Sequence, residues 1–573
     1  MGNRQRRIVR GLAALGALVA TLTLGAGAGT AGATGMAVRT PALAAALSGP
    51  VAPRLACATL AQPEPGGGLP DFGAIPGAPT RVSSAAVVAA TATAPEFCDV
   101  RGYVAPQIQF ELKLPTKTWQ GRYLQNGCGG FCGSIGPTGF PPCDVQPGGD
   151  FAVSATDDGH MAPGFDAVWA ATNEQVRVDF GSRAVHVVAV ASKAIIQAFY
   201  GTAPQRSYFM GCSDGGREGL MEAQRFPADF DGIVAGAPAN IWAPLNGEFQ
   251  AWLARVDVDA QGNPILTVPA DPTAPNKLAA LHAAALASCD GADGLVDGQI
   301  DDPRACHFDP ASILCAAGTD QPNCLTPAQV DVVRKAYSGP VDARGRHLYP
   351  GGEPVGSELA WRGWFVGPPG IGPLIGDDYL KYSAFPIGQR TSTARDWQFT
   401  VDGFDRLRTE GRVFNATSAD LSAFQRRGGK LILWQGWADQ AIPPTGSPAY
   451  YDAVQDRFGG LSATQRFARL FMFPSMYHCA GGFGPTQFDL VNPIVHWVEQ
   501  GQAPSRIVAT QTGSGGTVVR TRPVFAYPEQ ARYAGSGSID DAANFVGVMP
   551  VHPPDDDFDW VGNDLFSGHE DGR

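Results

Sequence analysis

The sequence has few charged residues, no basic run beyond its first ten residues, and no apolar segment of membrane-spanning length after its N-terminus. Charged residues make up 17% of the 573 positions and hydrophobic residues 44%, which argues against a disordered chain and against a coiled coil. The formal net charge is −12. Because the chain is acidic and has no basic run, a nucleic-acid partner is excluded. Internal repeats are also absent.

The eleven cysteines contain no Cys-x-x-Cys pair and no histidines at zinc-finger spacing, which disfavours a structural zinc site. In an exported chain they indicate disulfides, and the odd number leaves at least one cysteine unpaired within the chain. The pairing among Cys128, Cys132 and Cys143 stays open, with a Cys132 to Cys143 bridge as one possibility. The cysteines expected in disulfides are Cys57, Cys98, Cys212, Cys289, Cys306, Cys315, Cys324 and Cys479.

The N-terminus has the features of an export signal. Four arginines precede a run of Ala, Leu, Val and Gly over 11–26, and small residues at 30–33 offer a cleavage site. A membrane anchor is the alternative, but the run is short for a bilayer span. The paired arginines Arg6 and Arg7 leave the twin-arginine and general export routes both open. We expect a secreted or periplasmic protein without a membrane segment in its mature form.

Short apolar runs alternate with helical periodicity in two parts of the chain. Runs at 121–124, 151–153 and 207–210 predict buried strands, and 182–200 predicts a helix from its three-to-four spacing. The alternation fades near 239, returns after 429, and therefore predicts an α/β fold with a mostly parallel central sheet and a large inserted lid. The predicted segments are a signal peptide 1–33, an Ala/Pro-rich linker 34–56, a first domain part 57–239, a lid 240–420 and a second domain part 421–573.

The most informative motif is Gly-x-Ser-x-Gly at 211–215. It follows a predicted strand and precedes the helical segment 218–226, which is the context of a nucleophile elbow. Ser213 is the predicted nucleophile. An orienting acid and a base should follow in the order Ser, Asp, His, and Asp439 and His478 each lie in a loop directly after an apolar strand.

Two cysteines flank this predicted triad. Cys212 precedes Ser213 and Cys479 follows His478, so a triad in hydrogen-bond reach would also bring the two sulfurs close, to disulfide distance. The alternative is a pair of small buried thiols.

These motifs resemble the tannase and feruloyl esterase family, which includes the secreted mono(2-hydroxyethyl) terephthalate hydrolases. The resemblance rests on Gly-Cys-Ser-x-Gly-Gly at 211–216, Gly-Trp-Ala-Asp at 436–439 and His-Cys-Ala-Gly-Gly at 478–482, and it extends over about 57–550. It implies an α/β-hydrolase with a lid that hydrolyses aromatic carboxylic esters, and a Cys212 to Cys479 disulfide. Gln435 departs from the family, because many members have His four residues before the acid.

The glycine-rich stretch 126–133 follows a predicted strand upstream of the elbow, where an α/β-hydrolase places its second oxyanion donor. We expect the backbone N–H groups of Gly129 and Asp214 to form the oxyanion hole. The alternative for this stretch is a tight turn without a catalytic role.

The segment 289–300 places acidic residues three and four positions apart among glycines, which suits calcium. It resembles the lid calcium loop of the family, which implies side-chain ligands Asp290, Asp293 and Asp297 and the carbonyl groups of Leu295 and Gln299. The expected ion is structural, because the loop lies far in sequence from the triad. The alternative is a solvated acidic turn.

Within the lid, Lys381 and Phe385 stand where terephthalate monoester hydrolases carry a basic residue and a Phe. On a helix they would share one face and bind an aromatic carboxylate. The alternative is a lid helix with a solvated Lys.

The sequence therefore predicts a serine esterase that acts on small aromatic esters of the feruloyl, galloyl or terephthalate monoester type, with no organic cofactor. Two other classes stay open: a serine peptidase or acyltransferase with the same triad, and a non-catalytic protein that binds phenolic compounds. The oligomeric state is not predicted.

Overall fold

The computed structural model describes residues 49–61, 71–144, 150–550 and 558–567, which all belong to one unit beginning at Ala46. The predicted signal peptide 1–33 and residues 34–48 of the predicted linker lie outside the described residues. The end of that linker contacts the domain: the N–H of Val51 donates to the carbonyl of Trp119 at 2.8 Å, and the N–H of Arg54 donates to that of Phe199 at 2.7 Å.

Nine strands form one sheet in the order β1-β2-β3-β5-β4-β6-β7-β8-β9, and two short hairpins follow near the C-terminus. The strands are β1 (Thr80–Val88), β2 (Phe97–Val104), β3 (Ile108–Pro115), β4 (Trp119–Asn126), β5 (Asp150–Thr156), β6 (Arg206–Cys212), β7 (Gly232–Gly236), β8 (Lys430–Gly436), β9 (Ala468–Phe473), β10 (Arg506–Thr512), β11 (Val518–Phe525), β12 (Gln530–Tyr533) and β13 (Phe545–Val548).

The six strands from β5 to β9 in this order pair in parallel, while β1, β2 and β3 pair antiparallel at one edge. This mostly parallel sheet confirms the predicted fold class. The antiparallel edge is not predicted from the sequence. β1 is mainly exposed and therefore lacks a clear apolar alternation.

The helices pack on both faces of the sheet and fill the segment between β7 and β8. They are α1 (Glu174–Val178), α2 (Ala184–Tyr200), α3 (Asp214–Arg225), α4 (Trp242–Pro244), α5 (Ala251–Val256), α6 (Lys277–Cys289), α7 (Pro327–Ser338), α8 (Ile371–Tyr382), α9 (Val401–Phe414), α10 (Ser422–Arg426), α11 (Gly446–Phe458), α12 (Leu461–Thr464) and α13 (Val491–Gln500).

Two helices differ from their predicted bounds. α2 begins at Ala184, after a π-helical turn over Asp179–Arg183, and ends at Tyr200, directly before Gly201, whose φ of +77° is left-handed. α3 begins at Asp214, four residues before the predicted start, because the chain turns into the helix directly after Ser213.

None of the described residues between β7 and β8 adds a strand to the central sheet, which is what an inserted segment requires. The exact lid bounds, 240 and 420, stay a prediction. Within the described ranges, no helix combines the length and hydropathy needed to cross a bilayer.

Candidate active site

Ser213 lies in the turn between β6 and α3, at the carboxyl ends of the parallel strands. Its φ of +66° and ψ of −120° are strained for a residue with a side chain. The neighbouring glycines permit this turn, because a Cβ on Gly211 would lie 2.6 Å from Cα of Gly215 and one on Gly216 would lie 2.2 Å from the carbonyl oxygen of Gly236. The glycines of the Gly-x-Ser-x-Gly-Gly motif are therefore needed because the backbone packs too closely around this turn for a side chain.

Asp439 follows β8, and its buried carboxylate accepts four hydrogen bonds. Its Oδ1 accepts the backbone N–H groups of Ala441 at 2.8 Å and Ile442 at 2.9 Å. Its Oδ2 lies 2.9 Å from Nδ1 of His478 and accepts Nε2 of Gln435 at 2.7 Å. The structure thus brings two of the three predicted triad residues into direct contact.

Ser213 and His478 line the same cavity, which has a volume of about 350 Å³. The Cys212–Cys479 disulfide joins the residue before Ser213 to the residue after His478, with the two Cα atoms 6.0 Å apart. The predicted pairing of these cysteines is confirmed. The disulfide fixes the nucleophile turn against the loop that carries the histidine.

The cavity wall is mainly apolar and aromatic. His478 is the only described lining residue with an ionisable side chain, since Cys212 and Cys479 are bonded to each other. The large apolar residues of the wall are Phe131, Phe165, Ile442, Trp242, Leu245, Trp364 and Ile375. The segment between β7 and β8 supplies the last four of these side chains.

Gly129 also lines the cavity, in a loop that packs against the start of α3. The N–H of Gly215 donates to the carbonyl of Cys128 at 2.9 Å, which places the two predicted oxyanion donors on segments that are bonded to each other. The backbone N–H of Asp214 belongs to the first turn of α3, where a helix has no acceptor of its own for such groups.

The other disulfides are Cys57–Cys98, Cys128–Cys132, Cys289–Cys306 and Cys315–Cys324. All eight cysteines that the sequence analysis expects in disulfides are bonded. The possible bridge from Cys132 to Cys143 is wrong, because the loop turns back on itself and joins Cys132 to Cys128. Five disulfides within the described ranges fit an extracellular protein.

Three buried carboxyl groups lie behind the Gly129 loop. Asp158, Asp214 and Glu218 surround the Cys128–Cys132 disulfide, and their ligating atoms and the two sulfurs lie within 4.8 Å of one another. The two sulfurs are bonded to each other, so neither is a thiolate that could bind a metal ion. Asp214 is neutralised by a buried ion pair with Arg217.

The predicted calcium loop folds around Asp290, whose Oδ1 accepts the N–H groups of Asp297 at 2.9 Å and Gly298 at 3.0 Å. Asp301 adds a further carboxyl group that the sequence analysis missed. Burial, Asp293 and Asp297 raise the pKa of Asp301 well above its usual range.

Two basic side chains from β11 contact this loop. The guanidinium of Arg522 pairs with the carboxylate of Asp297, and Nη1 of Arg520 donates to the carbonyl of Asp297 at 2.8 Å. The loop therefore gathers the carboxyl groups of Asp293, Asp297 and Asp301, which are hard oxygen donors of the type that calcium takes.

Lys381 and Phe385 do not line the Ser213 cavity. Lys381 lies in the last turn of α8 and pairs with Asp377 one turn earlier, which raises the pKa of its ammonium group. Phe385 lies beyond the end of α8 at Tyr382, is buried, and packs against Trp397. The predicted shared helix face is wrong, because the helix ends before it reaches Phe385.

Sequence reasoning also missed the buried carboxyl group of Glu218 and the hydrogen bond from Gln435 to Asp439. Glu218 lies one helical turn after Asp214, and Asp301 continues the three-to-four spacing of the acidic loop. Those spacings are the only signal in the sequence for Glu218 and Asp301. For Gln435 the signal is its position four residues before Asp439.

Comparisons with known proteins agree with this geometry. The family model described as Tannase and feruloyl esterase matches residues 90–548. The mono(2-hydroxyethyl) terephthalate hydrolase of Piscinibacter sakaiensis is 35% identical over 533 residues, covering 82% of this chain and 87% of that protein. The crystal structure of feruloyl esterase B from Aspergillus oryzae has a TM-score of 0.70 at 30% identity, covering 82% of this chain and 97% of that chain. The tannin acyl hydrolase of Aspergillus niger, with a TM-score of 0.65 at 22% identity over 84% of this chain and 93% of that one, supports the fold alone.

The sheet, the turn at Ser213 and the similar structures define an α/β-hydrolase that acts as a carboxylic ester hydrolase on small-molecule esters. The chain belongs to the tannase and feruloyl esterase family.

Proposed function

We propose that Ser213, His478 and Asp439 form the catalytic triad of an esterase that hydrolyses aromatic carboxylic esters. Oγ of Ser213 attacks the ester carbonyl carbon while Nε2 of His478 takes its proton, and the alcohol leaves with that proton. Water then cleaves the acyl-enzyme by the same route. Asp439 holds the tautomer of His478 through Nδ1, and the N–H groups of Gly129 and Asp214 bind the tetrahedral oxyanion.

The hydrogen bond of 2.9 Å between His478 and the buried Asp439 carries this proposal. The strained turn at Ser213 and the cavity that it shares with His478 support it. The disulfide between Cys212 and Cys479 adds a covalent reason why the nucleophile and the base stay close.

The cavity wall supports an uncharged aromatic acyl group as the preferred substrate. Aromatic rings from Trp242 and Trp364 offer stacking surface. A terephthalate monoester would bring a carboxylate into a wall in which no described lysine or arginine takes part, and a buried charge without a partner is costly. We therefore rank feruloyl and galloyl esters above terephthalate monoesters.

One experiment tests the triad and the substrate class together. The wild-type protein, Ser213→Ala and the control Ser207→Ala at the start of β6 are treated with a fluorophosphonate probe and assayed on methyl ferulate, methyl gallate and mono(2-hydroxyethyl) terephthalate. We expect labelling and hydrolysis in the wild type and the control, neither in Ser213→Ala, and a higher kcat/KM for the two uncharged esters. Labelling that persists in Ser213→Ala would refute the nucleophile, and a preference for the terephthalate ester would refute the substrate ranking.

We also propose a structural calcium ion at 290–301. Asp293, Asp297 and Asp301 would hold it, together with Asp290 and the carbonyl groups of Leu295 and Gln299. When bound, the ion would neutralise carboxylates that otherwise have Arg522 as their close partner. Export through an N-terminal signal peptide is part of the same proposal, and the five disulfides support it.

A further inference from the structure

The loop that carries Gly129 is attached to α3 by the side chain of Glu218. The N–H of Cys128 donates to Oε2 of Glu218 at 3.3 Å. A Cβ on Gly127 would lie 2.3 Å from the same oxygen. Only glycine at position 127 therefore allows the loop to come this close to Glu218. Glu218 therefore fixes the backbone one residue before Gly129 to the helix that begins at Asp214.

The second carboxyl oxygen of Glu218 faces the Cys128–Cys132 disulfide and the carboxyl group of Asp158. Its Oε1 lies 2.9 Å from Sγ of Cys128, which is bonded to Cys132, and the Glu218 carboxyl is hydrogen-bonded to that of Asp158. A hydrogen bond between two carboxyl groups requires a proton on one of them. Asp158 holds this proton, because the hydrogen bond acts to raise the pKa of Asp158 and to lower that of Glu218, and Oε2 of Glu218 stays the acceptor for the loop N–H.

The surroundings raise the pKa values of both carboxyl groups. Burial and then Asp214 raise the pKa of Glu218 to about 7, and burial and Glu218 raise the pKa of Asp158 well above its usual range. Arg217 is the nearby cation, but it is already paired with Asp214. Glu222, one turn further along α3, is another buried acid whose pKa is raised by burial and Asp229.

We propose that Glu218 is a positioning residue for the oxyanion hole: its carboxyl group accepts the N–H of Cys128 and so holds the Gly129 loop against α3. The inference rests on the proposed function. Without this acceptor the loop shifts and the N–H of Gly129 leaves its place beside the oxyanion, so kcat falls while KM changes little.

The test measures kcat and KM for the full-length protein on methyl cinnamate, an ester without an ionisable group. The variants are Glu218→Gln, Glu218→Ala and the matched control Glu222→Gln, which removes an equally buried acid from the same helix. In Glu218→Gln the amide oxygen can accept the Cys128 N–H and the amide NH₂ can donate to Asp158. We expect Glu218→Gln and Glu222→Gln to keep kcat, because both retain an acceptor for the Cys128 N–H.

For Glu218→Ala we expect a fall in kcat of about 100-fold with KM nearly unchanged, on the order of the loss of one oxyanion donor. A fall in kcat as large in Glu218→Gln as in Glu218→Ala, or a normal kcat in Glu218→Ala, would overturn the inference. If Glu218→Ala does not fold, Glu218→Gln decides alone, and a loss of kcat of about 100-fold there would overturn the inference. A wild type that is neither labelled by fluorophosphonate nor active would instead refute the proposed function.

Discussion

The position of the Asp439 carboxylate depends on Gln435, the residue at which this chain departs from the family resemblance. Gln435 donates to the same oxygen that contacts His478, and its Oε1 accepts the hydroxyl of Ser447 at 3.0 Å. Because Gln435 and Asp439 are both fully buried, each lost hydrogen bond leaves a polar group without water. Gln435 thus holds the carboxylate at the angle that His478 requires.

At this residue we predict that Gln435→Leu destabilises the protein by about 1 to 3 kcal/mol, the range for leaving a buried polar group without its hydrogen-bond partner. We also expect kcat to fall more than KM rises, because Asp439 loses an orienting donor. Denaturant unfolding and kinetics on methyl ferulate measure both effects. Gln435→His, which retains a ring N–H donor, should recover most of the loss; equal damage from both substitutions would contradict this role.

At the scale of elements, the strand β6, the turn and the helix α3 form one unit that the disulfide ties to the loop after β9. The Cys212–Cys479 bond closes a sequence separation of 267 residues. The chain-entropy model assigns roughly 5 kcal/mol to a loop of this size. Local backbone strain at Ser213 is thus held by a covalent bond and by the helix that follows it.

We predict that Cys212→Ala/Cys479→Ala loses both stability and turnover. Its control is Cys315→Ala/Cys324→Ala, which opens a separation of 9 residues away from the cavity and should lose less stability and no activity. Thermal unfolding and kcat measure the two effects, and peptide mapping without reductant should recover the Cys212 and Cys479 peptides joined. Full turnover in the first variant would show that the bond does not position the triad.

For the whole molecule, the acidic loop at 290–301 connects distant parts of the chain. Its Ile300 N–H donates to Oγ of Ser475 at 3.2 Å, three residues before His478, and Arg522 reaches it from β11. The sequence analysis separates this loop from the triad because of its position along the chain. The fold instead places it against the segment that carries His478, the proposed base.

We predict that EDTA lowers the melting temperature and also reduces kcat, since an ion that binds only the folded state adds about 2.7 kcal/mol at 100 times its Kd. Asp293→Asn should abolish the EDTA effect. Asp331→Asn, an exposed acid on α7 paired with Lys335, should leave it intact. Protein purified without chelator should contain calcium by elemental analysis; its absence, together with no EDTA shift, would remove the site.

The sequence by itself determines most strands of the parallel sheet, though not β7, as well as the turn at Ser213 and the order in which Asp439 and His478 follow. These features depend on short-range patterns, because a buried parallel strand is a continuous apolar run and a tight turn needs glycine. Family motifs also predict the Cys212–Cys479 bond correctly.

Only the tertiary structure decides how the parts meet. It ends α8 before Phe385, joins Cys128 to Cys132, and brings Asp301 and Arg522 to one loop. It also places the Glu218 carboxyl under the Gly129 loop, 90 residues away in sequence. Such contacts depend on how elements pack, and the local pattern of apolar and polar residues carries no information about which distant polar groups will share a buried site.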